Sequence, residues 1–228
     1  MWKEYDTYNL SLHPQGTDEW KNLRVARITM SNISACVGRS YYKSDPKEIS
    51  DSICGITKIE SNSAMEHGVR MEPVIRNWYA DLLEKPIQEV GLAVWKKDSR
   101  FGGSLDGEII ENEESEEGIE IKAPRKMYWK LVEYIESRKK GVSFYPGYHE
   151  HIFHSHYDQM TGNAIITNKK AMHYIVVCTD TKESFIQRFP VDTALWENTL
   201  YPQACHFYEK YVEPKMKLLD IQRIDPVF

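Results

Sequence analysis

The sequence predicts a single mixed α/β domain, a central mixed β-sheet with helices flanking both faces. Three observations carry that prediction. Helix signals run from Asp18 to Leu82. Short β-rich segments bounded by glycine or charge follow between Ile87 and Ala123. Helix, strand pair and helix then alternate to the C-terminal end. With 228 residues and 41% hydrophobic side chains, the chain can bury an ordinary core. One domain over 1–228 is expected, its main body spanning about 18–191 and a helical closure about 192–228.

In order along the chain, Asp18 is placed to cap a short helix carrying Trp20, Leu23 and Arg24. Thr29 or Ser31 is placed to cap a second that ends near Gly38. Asp45-Pro46 opens another toward Gly55, because proline is preorganised for a first helical turn. Asn62 precedes a long helix through Met65, Val69, Ile75, Trp78, Tyr79 and Leu82. Pro73, which lacks an N–H, is expected to kink it or begin a new turn. Segments 87–95, 100–111 and 118–123 read as a three-stranded meander. The acidic run 111–117 between the last two is a solvated hairpin tip; it lacks the Asp/Asn alternation and central glycine of a calcium loop. Helix returns over 126–140 and, after a polar aromatic loop at 141–148, over about 149–167. Segments 171–179 and 184–191 form a strand pair turning at 180–183. A last helix over 192–219 is expected to be interrupted at Pro202 and Pro214.

The 34 acidic and 29 basic side chains give a formal charge of −5, so no global positive field draws the chain to nucleic acid and any such contact is local. Cys36, Cys54, Cys178 and Cys205 show no CxxC pairing. That argues against a disulfide framework or a cysteine zinc site, and for free thiols in a reducing compartment. Residues 1–14 do not read as a secretory signal and no apolar stretch is long enough to span a bilayer. The expectation is a soluble intracellular protein.

Four short words carry the chemistry: Gly68 to Glu72, Gly103-Ser104-Leu105-Asp106-Gly107, Ile119-Glu120-Ile121-Lys122, and Gln159. Alternation along a strand puts Glu120 and Lys122 on one face, with Ile119 and Ile121 toward the core. A hairpin through the acidic run would bring Asp106 beside Glu120. Two or three carboxylates with a backbone carbonyl suffice for Mg²⁺, which prefers hard oxygen ligands and keeps several waters. One or two such ions can activate water and neutralise the charge of a phosphodiester under attack. Lys122 could position or deprotonate that water or offset the developing charge. Taken singly, each word is also an ordinary surface strand or turn.

In order and spacing these words resemble the PD-(D/E)xK nucleases, in which an aspartate precedes a strand bearing Glu-x-Lys. Within them they are most similar to the bacteriophage lambda exonuclease group, the YqaJ-like viral recombinases or alkaline exonucleases. Glu19 to Arg24 with Ile28-Thr29-Met30-Ser31 resembles that group's Trp, Arg and Ile-Thr-x-Ser opening. His67-Gly68-Val69-Arg70-Met71-Glu72-Pro73 resembles its Gly-x-x-x-Glu helix. Ser104-Leu105-Asp106-Gly107, Glu120-Ile121-Lys122-Ala123-Pro124 and Asp158-Gln159 resemble its remaining words. Leu105 departs from a frequent proline, His67 from a common aromatic, and Thr161 from a second glutamine.

The resemblance implies a restriction-endonuclease-like core. Asp106, Glu120 and the Ile121 carbonyl would bind Mg²⁺, with Mn²⁺ able to substitute. Glu72 would hold a second ion or its water, and Lys122 would assist catalysis. Arg24, Ser31, Ser104 and Gln159 match a pocket for a 5′-phosphate, and a guanidinium, two hydroxyls and an amide are suitable donors to it. Arg39, with Lys43 behind it, is the best match for a further basic residue. The implied activity is 5′ to 3′ digestion of one strand of linear double-stranded DNA from 5′-phosphorylated ends by a ring-shaped homotrimer, with a single-strand annealing protein as partner. The alternatives are a structure-specific endonuclease of the same superfamily and a non-catalytic module that binds DNA ends or a recombination partner.

Two other signals compete. His149, His151, His154 and His156 are dense enough to suggest zinc, but without an HExxH arrangement they read better as groove-lining or exposed residues. Tyr128, Trp129, Tyr134, Phe144, Tyr145 and Tyr148 interleave with Arg125, Lys126, Lys130, Arg138, Lys139 and Lys140. Cations among aromatics suit phosphate contact and base stacking, whereas Trp129 and Tyr134 could equally be core residues of an amphipathic helix.

Overall fold

A computed structural model of the chain describes residues 2–41, 45–57, 61–111, 114–141 and 150–227. A strand pair that the sequence did not announce comes first, β1 (Trp2–Glu4) and β2 (Tyr8–Ser11). Helix α1 (Asp18–Arg24) is capped by Thr17, whose hydroxyl accepts from Trp20 N–H, so Asp18 is a first-turn residue and not the cap. The short β3 (Ile28–Thr29) leads directly into α2 (Met30–Cys36). Asp45 caps α3 (Pro46–Ile53), and Asn62 caps α4 (Ser63–Leu83), as expected. α4 continues through Pro73 without restarting.

The expected meander is rearranged. Segment 87–95 divides into β4 (Ile87–Gln88) and β5 (Ala93–Trp95), and 100–111 into β6 (Phe101–Gly103) and β7 (Gly107–Glu111). The halves join different sheets. Among the described residues one five-stranded sheet has the order β1-β2-β5-β6-β3. The other, completed by β8 (Glu114–Lys122), β9 (Ala171–Val177) and β10 (Ser184–Pro190), runs β10-β9-β8-β7-β4. Both are mixed, with β3 parallel to β6 and β8 parallel to β9. The crossings have steric causes in the packing. At Gly91 an added Cβ would lie 2.1 Å from the Ser11 carbonyl oxygen, so the chain passes β2 too closely for a side chain. At 104–106 the wholly buried Leu105 plugs into the core over Gly118. The acidic segment is itself strand from Glu114, with Glu111 opposite Glu114 and the tip, 112–113, outside the described residues.

Helices α5 (Trp129–Lys139) and α6 (His154–Ile166) follow, α6 starting later than the expected 149. β9 and β10 pair antiparallel as predicted. Helical run 193–219 closes the chain, and each expected proline break becomes a widened turn. Five-residue π segments, Trp196–Leu200 and Tyr208–Val212, precede the short helices whose first turns hold Pro202 and Pro214. A π turn absorbs the ring clash and missing donor without ending the helix.

Helices cover both faces of the second sheet. Ile75 and Tyr79 of α4 pack on Ile109, Ile119, Ile121 and Ile175. On the other face Leu131 of α5 and Met160 and Ala164 of α6 share the main core with Tyr174 and Val176. Among the described residues no helix is long and apolar enough to cross a membrane.

Candidate active site

The hairpin of β7 and β8 sets Gly107 opposite Ile119, which brings Asp106 alongside the Glu-x-Lys strand. Asp106 Oδ2 accepts from the Ile121 N–H at 2.6 Å. Ile119 and Ile121 face the core, and Glu120 and Lys122 face away from it, as the alternation predicted. Glu120 is fully buried; its Oε1 accepts from Lys122 Nζ at 2.5 Å, while Oε2 is buried with no hydrogen-bond partner. Glu72 reaches the same neighbourhood from α4 and pairs with Arg76 one turn later at 2.9 Å.

The charges here oppose one another. Burial, then Asp106, pushes Glu120 up to about 8 against the pull of Lys122. Desolvation and Asp106 push Glu72 up to about 7, with Arg76 opposing. Desolvation also raises Asp106, in spite of Lys122 and the Ile121 N–H. For Lys122 desolvation alone would favour the neutral amine, but Glu120 and Asp106 outweigh it and hold the ammonium. A crowded acid set with an unpartnered buried oxygen is what a divalent cation would relieve. Among the described residues no group of three or more His, Cys, Asp or Glu is already drawn together as a metal cage. The fit therefore rests on donor chemistry and on the Glu120 Oε2 orphan.

Between the sheets, segment 104–106 has no ladder for its carbonyls, and three side chains supply the missing donors. Asn163 Nδ2 of α6 donates to the Ser104 carbonyl at 3.3 Å. Gln15 Nε2 donates to Leu105 at 2.8 Å, and Arg76 Nε to Asp106 at 2.6 Å. Gly103 is required beside this clamp, since a Cβ there would lie 2.1 Å from Asn163 Oδ1.

On the other side of the clamp is a cavity of about 100 Å³, lined by Arg24, Ser31, Ser104, Gln159 and Asp106 among others. With a water occupying about 30 Å³ of liquid, it has room for one tetrahedral anion. Arg24 donates to Ser31 Oγ at 3.0 Å and Thr29 Oγ1 at 3.2 Å, and its guanidinium lies 4.2 Å from the Trp20 ring centroid. Trp20 Nε1 donates to Ser104 Oγ at 3.1 Å, leaving that hydroxyl's own proton for a ligand. Burial pulls the Arg24 guanidinium down to about 10, with no carboxylate of the described residues offsetting it.

Four predicted pocket residues thus meet in one cavity. Arg39 does not line it: its Nε pairs with the buried Asp158 at 3.0 Å, next to Gln159 in sequence. Lys43 lies outside the described residues. Sequence reasoning missed Gln15, Arg76 and Asn163. Only Arg76 left a trace, its i,i+4 spacing from Glu72.

Among the described residues the histidines join no metal-binding group, and His149 lies outside those residues. His151 is buried, stacked on Tyr134 at 4.3 Å and bonded to Gln187 at 2.7 Å. His156 Nδ1 meets the Tyr174 hydroxyl at 2.7 Å, and burial, then the Lys122 charge, holds it well below the usual imidazole range. Of the aromatic segment, Trp129 is 51% exposed, so it is not a core residue, and Tyr134 packs on His151 and Phe185. Phe144, Tyr145 and Tyr148 lie outside the described residues.

Comparison with known proteins adds a family match and three structural matches. The model of the YqaJ-like viral recombinase domain matches residues 19–170. The structure is similar to that of an alkaline exonuclease, LHK-Exo, from Laribacter hongkongensis, with TM-score 0.65 and 23% identity over 90% of this chain and 96% of that one. The complex of LHK-Exo with dAMP aligns with TM-score 0.66 at the same identity and coverage. A phage-related exonuclease from Haemophilus somnus 129PT aligns with TM-score 0.56 and 13% identity over 85% of this chain and 96% of that one. No curated protein matches the sequence significantly. At these identities the structural likeness establishes the fold alone, a mixed α/β architecture.

Proposed function

Because the chain belongs to the YqaJ-like viral recombinase domain family, we propose that it is a Mg²⁺-dependent exonuclease that digests one strand of linear duplex DNA from 5′-phosphorylated ends, 5′ to 3′. The chain is a nuclease acting on DNA. The observation that carries the finer reading is the shared wall: Asp106 of the acid set also lines the cavity where Arg24 pairs with no carboxylate of the described residues. A terminal phosphate would fill that role, accepting from Arg24, Ser31, Ser104 and Gln159.

Asp106, Glu120 and the Ile121 carbonyl would hold Mg²⁺, or Mn²⁺ in its place, and Glu72 a second ion or its water. When bound, the metal supplies an acidified water and offsets phosphoryl charge. The chain's own residues do the rest. Arg24 and its cavity partners fix the strand end, and Arg76 aims Glu72 and Asp106. Lys122, held beside Glu120, donates to the attacking water or to a phosphoryl oxygen. Extended backbone covers at most about 3.6 Å per residue, so Ser104 and Asp106 lie within about 7 Å. A cavity that shares Asp106 with the acid set fits removal of one nucleotide at a time, so mononucleotide products are expected. The assembly proposed is a homotrimer that works with a single-strand annealing protein.

The test uses linear duplexes with 5′-phosphate or 5′-hydroxyl ends and a covalently closed circle, each with Mg²⁺ and with chelator. Expected are mononucleotides from the phosphorylated linear substrate only, and loss of activity in Glu120→Gln and Lys122→Ala. Cleavage of the circle would favour an endonuclease, and undiminished digestion by Glu120→Gln would remove the site assignment. Sedimentation of the purified protein tests the trimer.

A further inference from the structure

A row of aromatic rings runs from the acid set to solvent, and the reaction above makes no use of it. It begins at Glu120, whose register partner on β9 is Tyr174. Side chains paired this way share a face of the sheet. The Tyr174 hydroxyl meets His156, and the His156 ring lies 5.4 Å from Tyr128 and 5.6 Å from Phe153. Phe153, at the start of α6, gathers Tyr128 at 5.5 Å, Tyr41 at 5.6 Å and Trp129 at 6.3 Å. Of the inner rings Tyr174 is buried, and His156, Tyr128 and Phe153 are half-buried. The outer two, Trp129 and Tyr41, are 51% and 64% exposed.

A cation stands among them. Lys130 Nζ is 5.7 Å from the Phe153 centroid and 5.9 Å from that of Trp129. It is anchored there by donating to the Glu150 carbonyl at 3.2 Å. Exposed ring faces next to a fixed ammonium suit a strand whose bases stack on the rings while its phosphates meet the cation. An intact duplex hides its base faces within the stack, so the fit is to unpaired nucleotides.

We propose that Trp129 and Tyr41, braced by Phe153 and accompanied by Lys130, form a stacking platform for unpaired bases of DNA at the end being processed. The location of that end rests on the nuclease reading; the platform itself rests on the rings and the cation. It gives the chain a way to hold a strand already separated from its complement.

The experiment measures binding of the full chain, in chelator, to a fluorescent blunt duplex and to the same duplex with a four-nucleotide unpaired tail. The wild type should prefer the tailed form. Trp129→Ala should reduce that preference about five- to hundredfold, the range for one lost base-on-ring contact, while leaving blunt-end binding and melting temperature unchanged. Trp129→Phe should keep most of it, and Tyr41→Ala should lose part. No preference in the wild type, or one that survives both alanine variants, overturns the platform. A chain that binds tails as described yet digests no DNA with Mg²⁺ upholds the platform and removes the nuclease reading, so the two failures are distinguishable.

Discussion

Replacing Glu120 by glutamine should abolish cleavage and at the same time stabilise the metal-free protein at alkaline pH. The side chain has no exposed surface, and only one of its oxygens is bonded. Its carboxyl, raised from 4.5 to about 8 by burial and by Asp106, keeps a proton in the folded state that the unfolded chain has already released. The folded state therefore holds more protons between those limits, and stability falls as pH rises through them. At about 1.4 kcal/mol for each tenfold change in proton activity, the full rise corresponds to about 5 kcal/mol well above pH 8.

Glutamine keeps the shape and removes the charge, and the rise already contains the opposing pull of Lys122, so the gain is on the order of a few kcal/mol. For a chain of this length that raises the melting temperature by about 5–10 °C at pH 9, with little change at pH 4.5. Calorimetry of both proteins in chelator at the two pH values decides it. A variant less stable than wild type at pH 9, or a difference independent of pH, would refute the claim that the acid set is held at a cost that a cation relieves.

Arg24→Met should lower kcat/KM about 10- to 100-fold on 5′-phosphorylated duplex and far less on 5′-hydroxyl duplex, because the contact proposed for it is a charge-assisted one to the terminal phosphate. Gly103→Ala should cost about 1–3 kcal/mol in denaturant melts, because its Cβ would fall 2.1 Å from Asn163 Oδ1. Adding Asn163→Ala should recover part of that loss. The Arg100 bonds overcome burial and lower the Asp98 carboxyl below 3.8, so its stabilising contribution is present at neutral pH and lost as acid reprotonates it. Asp98→Asn should thus destabilise by about 1–2 kcal/mol at pH 7 and make progressively less difference as the pH falls below the ordinary carboxylate range.

What the sequence made legible was whatever depends on short-range periodicity. Glu-x-Lys on a strand dictates which side chains face the core, and the structure places Ile119 and Ile121 there. Asp45 and Asn62 announce helix starts because capping is a local bond. Illegible was whatever depends on a remote partner. A run such as 87–95 has strand texture throughout, yet nothing in it says that its halves will join different sheets. The cause, close approach of β2 at Gly91, comes from the other end of the chain. Likewise Gln15 and Asn163 look like ordinary polar residues, since the carbonyls they hold are 90 and 59 positions away. Arg39 shows the converse hazard. A basic residue at a plausible spacing is drawn to the nearest buried carboxylate, Asp158.

Segment 104–106 unites the two halves of the site because it belongs to neither sheet. A strand residue has its carbonyl held by one neighbouring strand and moves with it. Here three successive carbonyls are held by the N-terminal segment, by α4 and by α6. Displacing any one of those elements would shift Ser104 and Asp106 together, while the Ile121 N–H keeps the Asp106 carboxylate tied to β8. The distance from cavity to acid set is then fixed by two residues of pinned backbone and not by the packing of one sheet on the other. A site that must cut at a constant distance from a bound end needs that kind of ruler, since an error of about 1 Å in placement can cost about a hundredfold in rate.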